Sequence, residues 1–126
     1  MGDSILTHFL EGGWAMFVIV AFGLTGLGAA GRFALRGEHQ LLGFVRWMAA
    51  TTLGCGLFGF VAGMLKAIPY VVYRSAPAER WTDLLVGVKE ALNNPAAALL
   101  FATLMGLCGA IGQRRFPLPN PSAVLR

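Results

Sequence analysis

Three long stretches without a charged residue constrain what this chain can fold into. They run from Gly12 to Gly31 (20 residues), from Trp47 to Leu65 (19) and from Ala91 to Gln113 (23). A helix of about 20 residues rises about 30 Å, the thickness of the hydrocarbon core of a bilayer. The chain has 126 residues, 56% hydrophobic and only 13% charged, too few polar groups to clothe a water-soluble surface. The reading is an all-α integral membrane protein: one membrane domain over residues 1–126, with transmembrane helices at about 12–31, 47–69 and 91–113 and an extended tail over 114–126.

Each span has its own boundary signals. The first opens with Gly12, Gly13 and the interfacial aromatic Trp14 and closes at Arg32. The segment before it carries Asp3, His8 and Glu11 and no Lys or Arg, so it is expected to be a retained helix and not a signal peptide. The second span continues past Lys66, which can reach the headgroups from a helix end, to Pro69, expected to kink or end it. Pro95 either opens the third helix in its first turn, where a missing N–H costs nothing, or kinks a helix that begins near Thr82. After Arg114 and Arg115, the alternating Pro117, Pro119 and Pro121 predict an extended tail.

The net charge of +4 comes from scattered basic residues, not from the one-sided patch of a nucleic-acid binder, so no nucleic acid is expected as a partner. It reads as topology. Arg32, Arg36, Arg46, Arg114, Arg115 and Arg126 share one side of the three spans. Lys66, Arg74, Arg80 and Lys89 share the other, offset by Glu79, Asp83 and Glu90. Basic residues are retained in the cytoplasm, which predicts the N-terminus outside and the C-terminus inside.

No acid–base pair is legible: none of Asp3, Glu11, Glu38, Glu79, Asp83 and Glu90 lies within a span, and His8 and His39 flank opposite sides. No enzymatic role, cofactor or metal is expected. Cys55 and Cys108 fall in runs of small apolar residues suited to helix packing, not to a disulfide. Small residues carry more information. Gly54, Gly56, Gly59 and Gly63 in the second span, and Gly106, Gly109 and Gly112 in the third, allow close helix approach, either within one chain or in an oligomer around a pore. Thr25, Thr51, Thr52, Asn93, Asn94 and Thr103 either hydrate such a pore or bond to a carbonyl one turn back. Glu90, at the mouth of an apolar helix, calls for water, a cation or a partner, with Lys66 within reach across the bundle.

Three stretches carry a family resemblance. Glu11-Gly12-Gly13-Trp14-Ala15-Met16 resembles the Gly-Gly-Trp-x-Met opening of the first helix in the MotA/TolQ/ExbB proton-channel family. Gly56-Leu57-Phe58-Gly59-Phe60-Val61-Ala62-Gly63-Met64 resembles the Gly-Leu-Phe-Gly-Thr-Val-x-Gly of its second. Gly87-Val88-Lys89-Glu90-Ala91-Leu92 resembles the Gly-Ile-x-Glu-Ala-Leu that opens its third. The resemblance implies a multi-pass protein of the bacterial inner membrane. It also implies a homo-oligomeric ring, typically a pentamer, surrounding an ExbD/TolR-like transmembrane subunit that supplies an intramembrane Asp. Such a ring couples ion flow to mechanical work.

Two positions depart from the pattern. Phe60 stands where the second helix would carry Thr, and Pro95 where the third would. The large cytoplasmic insertion of TolQ and ExbB is reduced here to the connection Arg32–Arg46. A non-conducting scaffold is therefore the companion expectation. The pore- or partner-facing candidates are Thr51, Thr52, Gly56, Gly59, Phe60, Gly63, Glu90, Pro95 and Thr103. Two other classes compete: an accessory subunit of a larger membrane complex, and a holin-like pore former.

Overall fold

The computed structural model describes residues 13–120 and residue 122, so Glu11 and Gly12 of the first motif, Arg126 and the end of the tail lie outside the described residues. Three helices make up the fold: α1 (Gly13–Arg36), α2 (Gln40–Tyr73) and α3 (Arg80–Arg115), with no strand among the described residues. Each is long and apolar enough to cross a membrane, which makes this a multi-pass membrane protein by length and composition. With 34 and 36 residues, α2 and α3 reach about 50 Å, well beyond the hydrocarbon core.

The helices absorb what the charge pattern marks as connections. Gly37, Glu38 and His39 are all that separate α1 from α2, and the turn is a helix stop built on glycine. Gly37 has φ +68° and donates its N–H to the Phe33 carbonyl at 2.9 Å, a left-handed conformation that a side chain would strain. At the other end of the bundle, six residues, Arg74–Glu79, link α2 to α3. The Ser75 hydroxyl donates to the Asp83 carboxylate there, in the first turn of α3, where a negative charge suits the helix dipole.

Both prolines lie inside helices. Pro69 does not end α2, which runs on to Tyr73, and Pro95 sits in the middle of α3, so the third helix is the one that begins ahead of it. Membrane helices tolerate such positions because neighbouring helices and local adjustment meet the freed carbonyl. Beyond α3, Phe116 donates its N–H to the Gly112 carbonyl at 2.8 Å and sets its ring over Gly37, while Arg115 donates to the Ala34 carbonyl at 3.5 Å. These contacts hold the start of the tail against the α1–α2 turn.

In lipid, helices gain little from hiding apolar surface from one another, so close contact must hold them together. Here large side chains sit on glycines. Phe101 of α3 covers Gly23 of α1, Met105 covers Gly26, and Phe33 of α1 covers Gly112 of α3. Phe33, Ile19, Met105 and Thr52 are fully buried. Outward, Leu53, Leu57, Phe58, Val61, Leu65 and Ile68 of α2 stand exposed in the manner of a lipid-facing surface.

Candidate functional site

At the end of the bundle where α1 begins, the three helices line a cleft of about 490 Å³. α2 and α3 are antiparallel here, so position 59 faces position 94, 63 faces 91 and 67 faces 87. Only Ala, Gly and Asn occupy these facing positions, which lets the two backbones approach closely along one side of the cleft. The walls carry Lys66 and Tyr70 from α2 and Asp83 and Glu90 from α3.

Asn94 forms the floor. It is 3% exposed, its amide lies over Gly59, and its Oδ1 has no hydrogen-bond donor. An unmet acceptor inside a bundle costs about 1–3 kcal/mol unless water or a ligand supplies the proton. Of the charged groups around it, Asp83 accepts from the Ser75 hydroxyl, while Lys66 and Glu90 line the same cleft without forming an ion pair, the ion pair among the described residues being Arg32 with Glu38 at 3.4 Å. Lys66 and Glu90, read from the sequence as able to contact each other, share the cleft without a hydrogen bond or ion pair between them.

A second, almost wholly apolar groove of about 380 Å³ adjoins the cleft between α1 and α2, lined by Val18, Thr51, Gly54, Cys55 and Phe58. Trp14 and Ala15 line both spaces, and the Trp14 ring meets Phe58 edge-on at 6.0 Å.

All three motif stretches reach this one cleft. Gly13, Trp14 and Ala15 come from the first, Gly59, Ala62 and Gly63 from the second, and Gly87, Glu90 and Ala91 from the third. No family model, curated protein or solved structure matches this chain. The geometry must speak for itself.

The nine sequence candidates divide. Glu90 and Gly63 line the cleft and Thr51 the apolar groove, while Thr103 is exposed and Phe60 half-buried. Thr52 and Gly56 are buried inside the bundle, and Gly59, which also lines the cleft, is buried against Asn94. Thr52 is fully buried and donates to the Met48 carbonyl one turn back at 2.7 Å. Gly56 and Gly59 are spent on contact with Ala98 and Asn94 of α3, and the Pro95 Cα belongs to the same contact. The glycine stripe thus serves packing within the chain, because the two longest helices need it to approach.

Sequence reasoning did not single out Trp14, Tyr70 or Asp83 as parts of a site, and it named Asn94 only as one of six polar span residues that could face a pore. One signal was present: Asp83, Glu90 and Asn94 are spaced seven and four residues apart, which puts them on one face of a continuous helix. The proline between Asn94 and the clean apolar run obscured that continuity.

Proposed function

We propose that this chain is a membrane subunit of the TolQ/ExbB kind, assembling with copies of itself into a ring around the transmembrane helix of an ExbD/TolR-like partner. Its place is the bacterial inner membrane, with the N-terminus outside. The observation that supports this reading is the convergence of the three motif stretches, from three different helices, on one cleft. The apolar outer surface of α2 leaves ample area for neighbours. With Phe60 and Pro95 at the two threonine positions, the ring works as a scaffold or a poor conductor.

Native mass spectrometry of the detergent-purified protein tests the reading. A defined multimer is expected, and a strict monomer at every concentration overturns it. The burial of Gly56 and Gly59 within the chain favours a second reading, an accessory subunit of a larger complex, because such a bundle needs no ring to satisfy its small-residue faces. Stable co-purification with a large complex, with no multimer of this chain alone, would select it.

A further inference from the structure

The cleft holds charges of both signs that form no ion pair with one another, Asp83 being engaged by the Ser75 hydroxyl alone. Glu90 and Asp83 lie two helical turns apart on the same face of α3, and Lys66 stands on the wall opposite, from α2. Charged side chains on membrane helices face water-filled cavities and pair there with one another, with water or with a ligand. The space between them is large enough for a molecule: its volume falls within the range of about 300–1,000 Å³ usual for small-molecule sites. A ligand bridging these walls must carry a cation and an anion a few bonds apart.

The adjoining groove says what else that ligand carries. It runs deeper into the membrane than Lys66, alongside Gly54 and Phe58, is nearly devoid of polar surface and shares Trp14 and Ala15 with the cleft. A polar chamber at the membrane edge joined to an apolar channel pointing inward is the shape of an amphiphile, head out and tail in.

We infer that this site binds a phospholipid with a phosphoethanolamine headgroup: its ammonium against Glu90 and Asp83, its phosphate against Lys66, and an acyl chain in the groove beside Trp14 and Phe58. The charge balance selects the headgroup. Two carboxylates against one ammonium disfavour an anionic lipid, and a choline headgroup has no N–H to donate to either carboxylate. The site belongs to a single chain and does not require the ring.

The test is lipid retention. Protein reconstituted in phosphatidylcholine vesicles doped with phosphatidylethanolamine or phosphatidylglycerol is re-extracted in mild detergent, and bound lipid is counted by native mass spectrometry. One phosphatidylethanolamine per chain is expected, in preference to both other lipids. Glu90→Gln and Lys66→Met should each lower its retention about tenfold or more, the effect of losing a hydrogen bond to a charged group. Glu38→Gln, at the opposite end of the bundle, should leave it unchanged. Glu90 and Lys66 are both exposed, and they lie on different helices, so each variant reads the site independently should the other fail to fold. Equal retention of the choline and ethanolamine lipids, or retention unaffected by both variants, overturns the inference. So does binding of soluble O-phosphoethanolamine without retention of the lipid, which would make the site one for a free zwitterion.

Discussion

The Ala98 methyl group lies in the notch left by Gly56, with the Asn94 carbonyl and the Pro95 Cα on either side of it. A Cβ on Gly56 would stand 3.2 Å from each of those two backbone atoms and closer still to the Ala98 Cβ. None of these atoms can rotate away. Gly56→Ala should therefore push α2 and α3 apart and destabilise the bundle by about 1–3 kcal/mol, the usual cost of overpacking. Pairing it with Ala98→Gly should restore part of the loss, because the methyl group has only changed helices. Gly54→Ala is the control: nothing lies within 4 Å of its Cβ position, and the helix should gain about 0.5–1 kcal/mol. Thermal unfolding in detergent reads all three. Gly56→Ala and Gly54→Ala behaving alike would refute the contact.

A second prediction concerns Phe33, fully buried and seated on Gly112 with its edge toward His39 at 5.8 Å. It is the largest of the fully buried side chains, and it ties the end of α1 to the end of α3. Phe33→Ala should cost about 3–5 kcal/mol, as removal of a buried aromatic does elsewhere. Protease sensitivity of the α1–α2 turn should rise with it. A loss well under 1 kcal/mol would mean that α1 is held by other contacts.

The uncharged runs made three helices legible in the sequence, because a bilayer leaves the backbone almost no other choice. Helix length was less legible. Charges mark where a helix leaves lipid, not where it stops, so α1 extends past Arg32 to Arg36 and α3 begins as far out as Arg80. The candidate site was visible only in pieces. Glu90 and Gly63 stood out by type, but a glycine that contacts a neighbouring helix and one that faces a pore are identical in sequence, and Gly56 and Gly59 turn out to be the former.

Thr52 illustrates the same ambiguity and yields a third prediction. Its hydroxyl donates to the Met48 carbonyl at 2.7 Å within its own helix, as Thr25 does to Ala21. That carbonyl belongs to a helical turn and loses only a secondary donor when the hydroxyl is removed. Thr52→Val, close in shape, should change stability by less than about 1.5 kcal/mol and leave ion flux untouched. A marked change in flux would restore Thr52 as a pore hydroxyl.

Topology gives a fourth. The fold gathers Arg32, Arg36 and Arg46 at the α1–α2 turn, and Arg115 joins them through its bond to the Ala34 carbonyl, so the basic residues on this side form one end of the bundle. The positive-inside rule assigns such an end to the cytoplasm, the orientation proposed above. A phosphatase that is active only outside, fused after Arg126, should be silent, and the same reporter placed in the Arg74–Glu79 connection should be active. High activity at the C-terminal fusion would invert the orientation proposed here.

The last prediction concerns Phe60, half-buried on α2 next to the Asn94-facing Gly59. In the proposed ring this ring-bearing side chain stands where the resembled family places a hydroxyl. Several copies around one axis then form an apolar collar, and a hydrophobic constriction stops ions by excluding water. The native protein should conduct little in a proton-flux assay in liposomes, with or without a candidate partner. Phe60→Thr should raise the flux by wetting the collar, but only in part, since Pro95 still leaves α3 without its hydroxyl. The stability readout separates this from a packing role. A phenylalanine held against a neighbouring helix would cost on the order of 3 kcal/mol on truncation and open nothing. Native flux that is already substantial, and unchanged by Phe60→Thr, would dismiss the collar.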